Sequence, residues 1–341
     1  MRALGGAIAV TASIVMLGAA CTSLDGLAGT APAAPDGGDG STPADAAPSG
    51  DTGADAQPQG SIDEACTKGA EVFCNRLATC DPAAVQLLFG GPSTCAVQAK
   101  LLCTTEATAP GARVTPAEIT ACSEASAAQT CAERLDGKKP PACNHVGDRP
   151  EGASCIGDAQ CATGYCAGLG SGCGTCRPAA KAGQPCGTGC ARGLRCLDTA
   201  NDPVCSEPLG ADELCIDSSQ CSRALQCVSR QCVPWLEENT PCSPLPDMKE
   251  RGCDPAKSLA CSAVLQACVK APVVQPGAEC AAKDGISPVC SGGRCEPEVA
   301  GASRCTRWAA LGEPCTDRPC IQPLWCVAGE CVVAAQTLCP N

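Results

Sequence analysis

Cysteine recurs along residues 155–331 in groups of four, six groups in succession, with a step of 30 to 34 residues between successive third cysteines. The groups are Cys155, Cys161, Cys166 and Cys176; Cys186, Cys190, Cys196 and Cys205; Cys215, Cys221, Cys227 and Cys232; Cys242, Cys253, Cys261 and Cys268; Cys280, Cys290, Cys295 and Cys305; and Cys315, Cys320, Cys326 and Cys331. A fixed step of this size is the mark of a tandem repeat. The second-to-third interval is 5 to 8 residues and the fourth-to-next-first interval is 10 or 12, whereas the first-to-second gap runs from 4 to 11. Constant spacings belong to a crosslinked scaffold and variable ones to loops, so the first gap is where units differ. Leu194, Leu225, Leu259 and Leu324 stand two residues before a third cysteine, and Gly183, Gly277 and Gly312 three before a first. These read as packing and turn positions. Cys173 and Cys339 are extra to the scheme, and spacing does not disclose their partners.

A unit of about 30 residues cannot bury enough apolar surface to offset its conformational entropy, and below ~40 residues crosslinks, metals or partners are required. Large side chains are scarce here: Phe73, Phe89, Tyr165, Trp235, Trp308 and Trp325 are the only aromatics among 341 residues, against 35 cysteines. Each disulfide contributes about 2 to 4 kcal/mol by restricting the unfolded chain. Such usage implies an oxidising compartment.

The start of the chain fits export. Met1 and Arg2 precede an uncharged apolar run, Ala3 to Leu17, and Gly18-Ala19-Ala20-Cys21 closes it with small residues before a cysteine. This resembles a bacterial lipoprotein signal over residues 1–20, which implies that Cys21 becomes the acylated first residue of the mature chain, anchored by more than one lipid chain. Thr22 in place of aspartate resembles signals directing lipoproteins to the outer membrane or cell surface. From Cys21 to Gly60 runs a linker of Ala, Gly, Pro, Ser, Thr and Asp with six aspartates (Asp25, Asp36, Asp39, Asp45, Asp51 and Asp55) and no basic residue. That composition predicts a disordered tether, extended by repulsion beyond the roughly 35 Å of a neutral chain of its length.

Residues 61–145 change to a helical pattern. Ser61 with Glu64, and Thr115 with Glu118 ahead of Pro116, are capping boxes. Helices are expected near 62–79, 82–89, 93–104 and 116–133, with Val72, Leu77, Val85, Leu88, Val97, Leu101, Leu102 and Ile119 facing inward. Eight cysteines lie here: Cys66, Cys74, Cys80, Cys95, Cys103, Cys122, Cys131 and Cys143. They allow 105 connectivities. Antiparallel helices would give bonded pairs a near-constant position sum, which suggests Cys80 with Cys95 and Cys74 with Cys103. The fold class expected is therefore small and disulfide-rich: an all-α, cysteine-stapled N-terminal domain over 61–145, then six tandem disulfide-rich repeats over 146–341 with little regular structure beyond short β-hairpins.

The run Cys155, Cys161, Tyr165-Cys166, Cys173-Gly174-Thr175-Cys176, Cys186, Cys190, Cys196 and Cys205 resembles the N-terminal cysteine-rich module of Dickkopf proteins, a colipase-like binding fold. It differs in having the single Cys190 where that module has two adjacent cysteines. The whole chain is similar to myxobacterial-type, cysteine-rich bacterial lipoproteins. The resemblance implies a fold and a binding habit.

Most catalytic chemistries lack their residues. One histidine, His145, stands among Pro140, Pro141, Gly147 and Pro150 and reads as a junction loop residue, so any serine or cysteine nucleophile has a single imidazole to call on. No Gly-rich phosphate loop follows a strand. Cys173-Gly174-Thr175-Cys176 has the spacing of redox pairs and zinc knuckles, but it lies among other cysteines without the helix N-terminus or second close pair those sites need, and it reads as structural. Carboxylates such as Asp217 and Glu237 have no visible catalytic partner. A net charge of −12, half of it in the tether, disfavours nucleic acid and anionic membrane surfaces as ligands. The expectation is a non-catalytic, lipid-tethered rod of stapled units without cofactor or metal, binding an extracellular protein or glycan, with no small-molecule substrate indicated. The alternative is an inhibitor of extracellular hydrolases, presenting the wide loop from Cys242 to Cys253 with Pro244, Leu245, Pro246, Met248, Lys249 and Arg251.

Overall fold

The computed structural model describes residues 60–341 except 169–172, 198–202, 244–249, 298–302, 334–338 and 340–341. The signal, Cys21 and nearly all of the tether lie outside the described residues. From Cys66 to Cys339 all thirty-four cysteines are joined in seventeen disulfides, and the strands between them are at most five residues long. The fold is small-unit and disulfide-rich.

One design runs through all six repeats. The third and fourth cysteines face each other across an antiparallel pair of strands: Cys166 opposite Cys176, Cys196 opposite Cys205, Cys227 opposite Cys232, Cys261 opposite Cys268, Cys295 opposite Cys305 and Cys326 opposite Cys331. They do not bond to each other. In every unit the first cysteine takes the third and the second takes the fourth. The hairpin is thereby tied at two points to the loop before it, and the crosslinks are also the interior. In the first repeat the buried apolar cluster consists of Cys155, Cys161, Cys166 and Cys176 alone.

The fixed interval between units has an equally local cause. Three residues before each first cysteine the chain turns through positive φ, at Gly152 (86°), Gly183 (81°), Asp212 (65°), Asn239 (64°), Gly277 (86°) and Gly312 (74°). The amide of that residue donates to the carbonyl of the fourth cysteine of its own unit at 2.7 to 2.9 Å. Left-handed backbone costs most side chains about 1–2 kcal/mol, which is why glycine, asparagine and aspartate occupy the position. Six residues before each first cysteine, a parallel bridge reaches the second cysteine: Arg149 to Cys161, Ala180 to Cys190, Leu209 to Cys221, Leu236 to Cys253, Val274 to Cys290 and Ala309 to Cys320. The linker between units is thus part of the next unit's sheet.

Ahead of the repeats lie helices α1 (Ile62–Cys80), α2 (Pro82–Ala84, running into a π-helical turn Val85–Phe89), α3 (Pro92–Thr108), α4 (Pro116–Ala128) and α5 (Cys131–Leu135). Ser61 with Glu64 and Thr115 with Glu118 both form capping boxes. A third box, Thr130 with Glu133, opens α5. It breaks the single helix expected to run to 133, because Gln129 is held extended between the two helices. The antiparallel pair α1 and α3 is bolted by Cys66–Cys103 and Cys74–Cys95, which share one position sum. The expected pairs Cys80–Cys95 and Cys74–Cys103 are therefore corrected by one step of register. Eight residues separate the cysteines on both helices, about 80° around each axis, whereas the six from Cys74 to Cys80 turn Cys80 some 120° the other way, toward Cys131. Cys122 pairs with Cys143. Val97, expected inside, is 64% exposed, since Cys95, Ala99 and Leu102 define the covered face of α3.

The repeats do not form the expected rod; they curl around the helices and close. The first repeat packs on the end of α3, where the buried Gln160 donates to Pro110 O at 2.8 Å and accepts from Ile156 N at 2.8 Å. The second and third grip the end of α5 through Asp136, which accepts from Arg195 Nη2 at 2.9 Å, Ser222 Oγ at 2.7 Å and Arg223 N at 2.8 Å. The fourth sets its turn Pro255–Lys257 against α2. In the fifth, Gly292 N donates to Gln86 O at 2.7 Å, with Gly292 and Gly90 back to back so closely that a Cβ on Gly292 would lie 3.2 Å from Gly90 N. In the sixth, Trp308 Nε1 donates to Leu87 O at 2.9 Å, and Leu101 of α3 packs against Ala309, Ile321 and Leu324. Cys339 then bonds Cys173 of the first repeat, beside Ile156, Ala109 and Trp325. A helical hub inside a closed ring replaces the extended array, because a unit without a core of its own gains burial only against a neighbour.

Asp136 is the shared anchor of two units, with its side chain 8% exposed against 19% for Arg195. Replacing it with alanine leaves that guanidinium without its counter-charge, and Asp136→Ala is expected to destabilise the oxidised protein by about 3 kcal/mol, measured as a shift in denaturant midpoint at unchanged slope. A midpoint within ~0.5 kcal/mol of the parent would refute the anchoring role.

Candidate functional site

A cavity of about 220 Å³ opens where the hub meets the first two repeats. Small residues create it. Gly69, which faces Ser123 and Ile119 of α4, lines it with Ala70 of α1 and Ala99 and Ala107 of α3, and Phe73, Val114 and Ile119 complete the apolar lining. Its walls are held by the Cys66–Cys103 and Cys122–Cys143 disulfides, both of which contribute lining atoms. Crosslinked walls cannot relax inward to fill the space, which is the usual fate of voids between small side chains.

One end of the cavity is apolar and the other carries charge. Asp158, on the turn Asp158–Gln160 of the first repeat, is nearly fully buried and faces two cations, Arg192 Nε at 3.4 Å and Lys139 Nζ at 3.5 Å, while its Oδ1 accepts from Cys166 N at 2.9 Å. Glu106 lies beside it on α3, 7% exposed, with Oε1 accepting from Ala159 N at 3.3 Å. Burial pushes its carboxyl up to about 8; the neighbouring Asp158 adds to the rise, and Lys139, the Ala159 amide and Arg192 oppose it. At neutral pH Glu106 therefore holds its proton and presents a hydroxyl donor. His145 also lines the wall, held below its ordinary value by burial and by Lys139, so its imidazole is neutral.

Arg134 of α5 completes the lining. Its guanidinium lies 4.0 Å from the centroid of Phe73 and is pulled down to about 10, chiefly by burial and further by Arg76. Nη2 of Arg134 and Nε of Arg76 are both buried without a hydrogen-bond partner among the described residues. With Glu106 protonated, the three cations of the lining, Arg134, Lys139 and Arg192, outweigh the single carboxylate of Asp158, and the cavity as a whole is cationic.

The residues singled out from sequence are placed elsewhere. Cys173 and Cys176 do not bond to one another; Cys176 pairs with Cys161 and Cys173 with Cys339, so neither supplies a redox pair or zinc ligands. Cysteine sulfurs do gather within 4.8 Å in five repeats, as in Cys155, Cys161 and Cys176, but every member is spent in a disulfide. Asp217 caps its own turn by accepting from Ser219 N at 2.8 Å, and Glu237 pairs with Lys257 at 2.6 Å on the surface. In the wide fourth-repeat loop, Pro244, Leu245, Pro246, Met248 and Lys249 lie outside the described residues, and Arg251 is tied down, donating to Pro234 O at 2.7 Å and Trp235 O at 3.1 Å. Of the sequence candidates only His145 and three of the helical cysteines reach the cavity. Glu106 was legible in principle, since it continues the buried stripe of α3 through Ala99 and Leu102, where a carboxylate is out of place. Asp158, Lys139 and Arg192 gave no such signal, because loops brought them together.

No family model, curated protein or solved structure matches the chain. No helix among the described residues is long and apolar enough to cross a membrane.

Proposed function

We propose that the chain is an exported, non-catalytic binding module, tethered by lipid on Cys21 to a bacterial outer membrane or cell surface. An all-α unit over 61–145 and a Dickkopf-like, colipase-like repeat array over 146–341 act together as a protease-resistant body that offers its variable first-gap loops to an extracellular protein or glycan. The reading rests on one observation: repeat interiors built chiefly of disulfides, as in the first unit, depend on bonds that persist only in an oxidising exterior. Support for the absence of catalysis comes from the scattered placement of Asp217, Glu237 and Cys173. The expected result of non-reducing mass spectrometry on the native protein is an acylated Cys21 N-terminus with no free thiol. Free thiols in most repeats would overturn export, and stoichiometric inhibition of a protease panel would replace a binding module with an inhibitor.

A further inference from the structure

We propose that the cavity between α1, α3, α4 and the first two repeats binds a small amphiphilic anion, a monocarboxylate whose apolar body has the size of a short alkyl chain or a single ring. This gives the binding module above its ligand class and rests on that reading. Volume comes first: at about 220 Å³ the cavity exceeds the ~150 Å³ apolar void that admits benzene. Two disulfides, Cys66–Cys103 and Cys122–Cys143, stand in its wall, so the space is bounded by crosslinked chain. Chemistry then orients the occupant. Val114 and Ile119, with the edge of Phe73 left by Arg134, offer apolar surface suited to a hydrocarbon body worth roughly 0.8 kcal/mol per buried methylene.

At the other end Lys139 and Arg192 flank one carboxylate, Asp158, while Arg134, whose guanidinium lies over the Phe73 ring, has none among the described residues. A second anion seated among these three cations receives charge-assisted hydrogen bonds, with the buried, unpartnered Nη2 of Arg134 as the donor that gains most. Glu106 adds to this as a protonated donor, so a carboxylate head and the Glu106 carboxyl share one proton. An amine head would face the same three cations and is rejected; a neutral alcohol forfeits the charge.

The test uses the full exported chain carrying Cys21→Ser, so that neither acyl chain nor detergent competes, with octanoate, octanol, octylamine and sulfate titrated calorimetrically at pH 7. Octanoate is expected to bind one to one, octanol and octylamine at least about tenfold more weakly, and sulfate not at all. Val114→Phe, which fills the cavity from a loop position, should abolish octanoate binding. Lys139→Gln and Arg192→Gln should each weaken it about tenfold with all disulfides retained by mass. Affinity should also fall above pH 8, as Glu106 ionises among Asp158, Lys139, Arg192 and His145 and repels the head. Equal binding of octanol and octanoate, octanoate binding untouched by Val114→Phe, or no binding would each overturn the assignment. None of those results bears on acylation or oxidation, which the mass spectrum reads separately.

Discussion

Complete reduction in native buffer is expected to unfold the repeat ring, while a metal chelator leaves it unchanged. The repeat disulfides close loops of 10 to 19 residues, each worth about 3 kcal/mol on chain entropy alone, and two fall in every unit of 30-odd residues. Since Cys215, Cys221 and Cys232 in the third unit, and Cys280, Cys290 and Cys305 in the fifth, are the buried clusters, reduction forces bonded sulfurs apart and loosens the interior as well as cutting the crosslinks. Behind them pack only partly buried side chains, Leu209 and Leu225 in the third unit and Val274 in the fifth. The hub differs, with Leu88, Phe89 and Ala99 packed around Cys74 and Cys95, so some helical signal should survive after the hairpins are lost. Hydrogen exchange of hairpin amides, such as those of Cys232 and Cys268, should rise to unprotected rates once thiols are free. Retained protection in a fully reduced sample would refute a disulfide interior.

Stability is expected to fall as pH rises from about 5 to 8, with Glu106 as the cause. Its folded value of about 8 lies above the 4.5 of the unfolded chain. Between those values the native state keeps a proton that the unfolded state releases, so each pH unit removes up to 1.36 kcal/mol, a few kcal/mol across the window. Above pH 8 both states are ionised and the loss levels off. This is the reverse of the usual carboxylate behaviour, shown here by Glu313, which Arg307 holds down at about 2 and whose contribution disappears only below pH 4.5. Glu106→Gln keeps the donor and removes the charge, so the variant should lose the slope and exceed the parent in midpoint at pH 8. Denaturant midpoints of the oxidised proteins at pH 5 and pH 8 decide it. A parent with equal midpoints, or a variant with the parent's slope, would show that Asp158, Lys139 and Arg192 already compensate the charge.

Short-range features were readable residue by residue. The four-cysteine rhythm, the left-handed turn positions at Gly183, Gly277 and Gly312, and the capping boxes at Ser61 and Thr115 each depend on neighbours within a few residues, where geometry and side-chain chemistry leave one solution. Gly152, Asp212 and Asn239 hold the same turn in the other three units, so the position is defined by its backbone conformation and not by glycine alone. The break before α5 is set by a third capping box, Thr130 with Glu133, inside what reads as one helix. Disulfide choice in the helices was half legible. Antiparallel packing was the correct constraint, but which cysteines meet depended on the rotation of α1 and α3 about their axes.

By itself the chain determined that crosslinks would replace a core, how long each unit is, and where each turns, because these follow from local spacing and from the scarcity of large apolar residues. Tertiary structure alone decided that first bonds third and second bonds fourth, that Cys173 meets Cys339 to close the ring, and that Glu106, Lys139, Asp158 and Arg192 share one cavity. The reason is distance along the chain. Cys173 and Cys339, 166 positions apart, have no local preference for meeting, and only the summed curvature of six units docked on a helical hub brings their Cα atoms to 5.4 Å.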